Sequence, residues 1–215
     1  MEEHLLWIAT MIGTIACGVS GSLMAVDKGM DIIGVLVLGA VTAVGGGVLR
    51  DVLLGRLPPQ MFTDSEFLLA AAVTALLVFV LCYCLFARIQ RAREKIDSVI
   101  NLFDAIGLAA YSVVGARATV DMGYADNHLL VIFLGVTTAV GGGILRDMLC
   151  VQMPFVLYKR VYVLAAIGGC VVYDLLYPYN GLLAMTAAMT LIVAVRLLAA
   201  HFRWRLPRVH SEKNQ

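Results

Sequence analysis

Long apolar runs and short polar connectors alternate along the whole chain, and the runs are close to one length. Seven of them stand out: Leu5 to Val26, Ile32 to Leu54, Glu66 to Ala87, Ile96 to Ala116, Leu129 to Cys150, Tyr158 to Leu176 and Leu182 to Phe202. Between them lie DKGMD, GRLPPQMFTDS, RIQRAREK and YPYNG, which carry the Gly, Pro and Asn expected of turns. A hydrocarbon layer of about 30 Å needs roughly 20 apolar residues per helix. The pattern therefore predicts an all-α, polytopic membrane protein with seven transmembrane helices.

Composition agrees with the pattern, since 61% of the 215 residues are hydrophobic and only 14% are charged. Mean hydropathy is +0.89, outside the usual range of soluble domains. MEEHLLWIATMIG opens on acid rather than on the basic stretch of a signal peptide, so it reads as a retained first helix. TIACG around Cys17 departs from a lipoprotein cleavage box in its leading charge and in a threonine where leucine is expected. All five cysteines lie in or at the ends of apolar runs, as small hydrophobes, and the four histidines lie at span ends with no ligand spacing.

Charge then orients the chain. With the N-terminus outside, eleven Lys and Arg residues fall on the cytoplasmic side, while Arg56 and Arg117 alone fall outside. That asymmetry satisfies the positive-inside rule and requires an odd number of spans, N-terminus out and C-terminus in. Trp7 and Trp204 then sit near opposite interfaces. Arg196 lies inside the last span, where a long side chain snorkels to the cytoplasmic surface.

The chain also repeats. Leu38 to Asp51 matches Leu134 to Asp147 at eleven of fourteen positions, and Val19, Gly21, Val26, Asp27 and Gly29 recur as Val113, Gly115, Val120, Asp121 and Gly123. The units are residues 1–90 and 91–178, followed by a lone seventh helix at 179–203 and a basic cytoplasmic tail at 204–215. Three spans per unit is an odd number, so the second unit is inverted relative to the first. At 1.5 Å per residue both glycine runs, Gly45, Gly46, Gly47 and Gly141, Gly142, Gly143, fall near mid-membrane on helices of opposite direction.

Three successive glycines disfavour a helix by roughly 3 kcal/mol relative to alanine, so breaks are expected there, and broken helices at this depth line a polar path. Each run is followed by an arginine and an aspartate: Arg50 and Asp51, then Arg146 and Asp147. Neighbours in sequence point about 100° apart on a helix, so crossed pairs are expected, Arg50 with Asp147 and Arg146 with Asp51. The plainer alternative is that each charge anchors its span in interfacial water. Asp104, deep in the fourth span, is either functional or satisfied by a hydroxyl such as Ser112 or by a backbone amide. Gly13, Gly18, Gly21, Gly34 and Gly39 read as close-packing positions.

GGGVLRD at Gly45 to Asp51 and GGGILRD at Gly141 to Asp147, set in two three-helix repeats with one extra helix, resemble the trimeric intracellular cation channel family. The resemblance is to its shorter prokaryotic members, long grouped under a glycine transporter domain name, and it covers about residues 5 to 203. It implies a homotrimer in the bacterial inner membrane, each subunit with its own pore for monovalent cations, chiefly potassium. The second and fifth helices, kinked at their glycines, would line that pore, with Arg50, Asp51, Arg146 and Asp147 associated with it. One departure stands out: RDVLLG has Gly55 where RDMLCV has Val151, which would make the two halves unequal at that end.

Inverted repeats are also the usual build of secondary carriers, so a carrier for a small zwitterion such as glycine is the alternative. An enzyme is not expected: no GxxxxGK[ST], HExxH or GxSxG occurs, and GGGVLR lacks a dinucleotide fingerprint. No cofactor, metal or nucleic-acid partner is implied; the expected partners are monovalent cations, membrane lipid and two further subunits. No TVGYG filter is present.

Overall fold

The computed structural model describes residues 2–84, 93–158 and 161–202, and within them every regular element is helical. In chain order these are α1 (Glu2–Asp27), α2 (Ile32–Leu53), the short α3 (Gln60–Thr63), α4 (Ser65–Cys84), α5 (Arg93–Thr119), α6 (His128–Leu149), the short α7 (Phe155–Tyr158), α8 (Tyr162–Leu176) and α9 (Gly181–His201). A single π-helical turn, Val120–Tyr124, extends α5 and contains Gly123 at φ 87°. Six of these helices are long and apolar enough to cross a membrane, and α8 is a shorter apolar helix. The expected sixth span, Tyr158 to Leu176, corresponds to α8, which starts four residues later and ends where expected, while α7 precedes it and ends at Tyr158. Expectations for the basic loop at 85–92, for Lys159 and Arg160, for Trp204 and for the tail lie outside the described residues.

Local chemistry places the helix starts. Asp31, Asn127 and Asn180 cap α2, α6 and α9, their side-chain oxygens accepting from the amides of Gly34 (2.8 Å), Leu130 (3.1 Å) and Leu183 (3.0 Å). Such caps satisfy one of the free first-turn amides and are worth about 1 kcal/mol each. Asp31 and Asn127 hold equivalent places in the repeat, so the two central helices begin by the same device.

Packing follows the repeat. α1, α2, α5 and α6 form the centre, with α1 against α2, α5 against α6, and each of these pairs in contact with the other. α4 covers α1 and α2, α8 covers α5 and α6, and α9 lies mainly against α8 and α5, with Leu5 and Leu6 of α1 packed beside it. In lipid no hydrophobic force draws helices together, so small residues that allow close approach must do it. Ala9, Ala16, Ala43, Ala71, Ala109 and Ala139 are all buried at these contacts, whereas Leu69, Leu77 and Leu81 of α4 point outward.

The halves also match in detail. A Cβ on Gly21 would meet Thr42 and the Leu38 carbonyl, and one on Gly115 would meet Thr138 and the Leu134 carbonyl. Gly29 and Gly123 both adopt positive φ, 72° and 87°. At the far ends of α2 and α6 the Arg56 amide donates to the Asp51 carbonyl (2.8 Å) and the Gln152 amide to the Asp147 carbonyl (3.0 Å). Both turns close through a left-handed residue, Gly55 at φ 70° and Val151 at φ 52°. The Gly55/Val151 difference therefore leaves the turn the same; the valine adopts the conformation its glycine counterpart takes freely.

The candidate site at the crossing of two glycine-bearing helices

The glycine runs do not break their helices. α2 and α6 continue through Gly45–Gly47 and Gly141–Gly143 as unbroken α-helix, which corrects the expected breaks. The glycines serve approach instead: a Cβ on Gly46 would collide with the Thr138 carbonyl, and one on Gly142 with the Thr42 carbonyl. Gly45 faces Leu145, and Gly141 faces Leu49 and the Gly46 Cα, so the two helices meet backbone to backbone. Tertiary contact overrides the propensity cost, because only glycine permits this separation. The third glycine of each run serves the charges: Gly47 lies beside the Arg50 guanidinium, and Gly143 beside those of Arg146 and the Asp104 carboxylate.

All four charges after the runs are buried, Arg50 and Arg146 at 2% and 1% exposure and Asp51 and Asp147 at 0% and 1%. Interfacial anchoring is thereby excluded. The crossed pairing is also wrong, since each arginine pairs with its own neighbour. Arg50 Nε donates to Asp51 Oδ1 at 2.8 Å, and Arg146 Nε to Asp147 Oδ1 at 2.8 Å. The 100° between adjacent Cα–Cβ bonds is bridged by the length of the arginine side chain, which folds back to meet the carboxylate at Nε.

The second carboxylate oxygen explains why aspartate stands there. Asp51 Oδ2 accepts from the Gln60 amide at 2.8 Å, and Asp147 Oδ2 from the Phe155 amide at 2.7 Å. Those amides open the short helices α3 and α7, just after Pro59 and Pro154. Each carboxylate thus joins an arginine to the start of a returning helix, satisfying a donor that would be orphaned in an apolar setting.

Beyond this common core the halves diverge. Arg146 Nη1 also donates to Asp104 Oδ1 (2.8 Å) and to Ser20 Oγ (2.6 Å), and its guanidinium lies 5.0 Å from the Phe155 ring centre. Asp104 is therefore partnered by arginine, rather than by Ser112 or a backbone amide, and its Oδ2 has no hydrogen-bond partner among the described residues. Arg50 has its hydrogen bond to Asp51 but, among the described residues, no such carboxylate from another helix, and it lines a cavity of about 540 Å³ shared with Thr10, Arg56, Glu66 and Asp121.

Several contributing residues were not singled out from sequence. Tyr111 of α5 donates to the Ala43 carbonyl at 2.7 Å, just before the first glycine run, and lies 2.9 Å from Thr14 Oγ1. Thr42 and Thr138 each donate to a carbonyl one turn back, at 2.6 Å in both cases; their recurrence inside the repeat was the available signal. Arg196 does not snorkel: its guanidinium stacks 4.7 Å over the Tyr162 ring, where a π face is at hand. Trp7 donates to Glu66 Oε1 at 2.8 Å, and Arg117 pairs with Glu2 (2.9 Å) and Asp121 (2.7 Å). Among the described residues no cluster of three His, Cys, Asp or Glu side chains could hold a metal ion.

Two like helical halves meeting through glycine, with buried ion pairs in an apolar chain, define an integral membrane protein built around an internal polar crossing. A family model described as "Glycine transporter" matches residues 7–83 and again 101–178. Solved structures match across nearly the whole chain. One is described as "Structural basis for conductance through TRIC cation channels" (34% identity, 96% of this chain and 98% of that one, TM-score 0.82). Another is the TRIC trimeric intracellular cation channel orthologue from Rhodobacter sphaeroides (32% identity, 93% and 99%, TM-score 0.83). The chain belongs to this family of trimeric intracellular cation, or TRIC, channels. Relatives include the UPF0126 membrane protein of Deinococcus radiodurans, 39% identical over 96% of this chain and 93% of its own length. The UPF0126 inner membrane protein YadS of Escherichia coli is 34% identical over 94% of both chains.

Proposed function

We propose that this protein is a monovalent cation channel, chiefly for potassium, working as a homotrimer in the bacterial inner membrane with a pore inside each subunit. The observation that carries the reading is the crossing of α2 and α6, where backbone meets backbone and a buried Arg–Asp pair follows each glycine run. Gly45–Gly47 and Gly141–Gly143 shape the path, while Arg50, Asp51, Arg146, Asp147 and Asp104 set the field along it. The two units, residues 1–90 and 91–178, are inverted copies, and α8 acts as the sixth of seven spans. The reciprocal contacts at the crossing, Gly46 against Thr138 and Gly142 against Thr42, support a twofold relation between the units. With the N-terminus outside, Glu2, Glu3, Asp64, Glu66 and Asp121 gather at the outer mouth and enrich cations there.

A second reading, a carrier for a small zwitterion such as glycine, is favoured by the family model's description. Bilayer recordings of the purified protein under a potassium–sodium gradient separate the two. The channel reading expects unitary currents whose reversal follows potassium and whose size changes in Arg50→Gln and Arg146→Gln. Saturable, counterflow-stimulated glycine uptake without unitary currents would overturn it.

A further inference from the structure

The two arginines after the glycine runs sit in equivalent frames, each paired with the next aspartate, yet among the described residues Arg146 alone also has hydrogen-bond partners from other helices. Arg146 receives Asp104 from α5 at 2.8 Å and Ser20 from α1 at 2.6 Å. The repeat aligns α1 with α5 at an offset set by Val19 and Val113, Gly21 and Gly115, and the matched glycine contacts preserve it. On that alignment the counterpart of Asp104 is Thr10, and the counterpart of Ser20 is Val114. Thr10 and Val114 both line the cavity of about 540 Å³ beside Arg50. The second half fills the place of a carboxylate on its arginine; the first half leaves that place open.

The cavity's other end says what the rest of a ligand must carry. Glu3, Asp64, Glu66 and Asp121 line it together with Arg50 and Arg56, so carboxylates outnumber arginines. A simple anion would be repelled on its way to Arg50. Glu3 stands seven residues before Thr10 on α1, and Asp121 seven residues after Val114, close to the end of α5. At 1.5 Å per residue both helices put about 10 Å between floor and rim, less what the side chains span.

We propose that this outer cavity binds an elongated amino-carboxylate, its carboxylate on Arg50 where Asp104 would stand in the other half, its ammonium among the rim carboxylates. A molecule such as 6-aminohexanoate, whose charges lie about 7 Å apart when extended, fits that span; glycine is too short to reach both ends. Arg50 also belongs to the proposed ion path, so this site rests in part on that reading and is tested by binding rather than by conduction.

The test uses the purified full-length protein in detergent micelles, titrated by calorimetry and by fluorescence of Trp7, which lines the cavity. 6-Aminohexanoate is expected to bind saturably, with glycine, hexanoate and pentylammonium each about tenfold weaker or more. Thr10→Asp supplies the missing carboxylate from within and is expected to abolish binding; Glu3→Gln, at an exposed position that leaves the core intact, is expected to weaken it severalfold. Binding of hexanoate or pentylammonium as tight as that of 6-aminohexanoate would reduce the cavity to a single-charge site and overturn the proposal. So would equal binding of glycine, no binding of the wild type at millimolar ligand, or binding unchanged by Glu3→Gln or by folded Thr10→Asp.

Discussion

The pairing at the crossing can be decided by two double-mutant cycles. One combines Arg146→Gln with Asp104→Asn; the other combines Arg50→Gln with Asp147→Asn. Arg146 and Asp104 approach to 2.8 Å with side chains 1% and 5% exposed. Two unit charges about 4 Å apart interact by about 4 kcal/mol at an effective dielectric of 20. Gln and Asn keep a neutral hydrogen bond, and Arg146 keeps Asp147, so the coupling expected is about 2 kcal/mol. Arg50 hydrogen-bonds its own Asp51 at 2.8 Å and Asp147 the neighbouring Arg146 at 2.8 Å, so the second cycle is expected to be additive within about 0.5 kcal/mol. Unfolding free energies would be read by circular dichroism during denaturant titration in mixed micelles, with unfolding shown to be reversible for every variant. Coupling above about 1 kcal/mol in the second cycle, or none in the first, would refute the pairing described here.

Three further outcomes follow from the same geometry. Val151→Gly is expected to stabilise by about 1 kcal/mol, because a β-branched residue at φ 52° is strained by about 1–2 kcal/mol and its 94% exposed side chain loses little contact; the reverse change, Gly55→Val, is expected to lower the thermal midpoint. Gly46→Ala and Gly142→Ala force a methyl onto a carbonyl of the facing helix and are expected to destabilise by about 3 kcal/mol or more, seen as loss of folded protein on size-exclusion chromatography, whereas Gly168→Ala, with open space around it, is expected to be neutral or stabilising. Asn127→Ala removes the cap on α6 and is expected to cost about 1 kcal/mol, while Asn127→Asp preserves it.

The long helices were legible because lipid imposes a length and an apolar composition on anything that crosses it, and six of the seven expected runs appear as helices close to their expected bounds. The duplication was legible too, since matched residues recur at a nearly constant offset and the family model finds the chain twice. The glycine runs marked where α2 and α6 meet, but intrinsic propensity suggested breaks where the structure has contact: a helix partner a few ångströms away supplies what an isolated helix lacks. Sequence separation likewise misjudged the charges, because Arg50 to Asp51 depends on how a long side chain folds back and on the Gln60 amide waiting at the other oxygen.

What the sequence by itself determined is the all-helical membrane character, the twofold repetition and the residues that lie buried at its centre, all set by local composition and spacing. The tertiary structure alone decided who pairs with whom. Asp104 and Ser20 reach Arg146 from helices 42 and 126 residues away, and Thr10 and Val114 leave Arg50 beside an open cavity. Such partnerships depend on which faces of distant helices turn toward one another, a quantity that no stretch of chain carries alone.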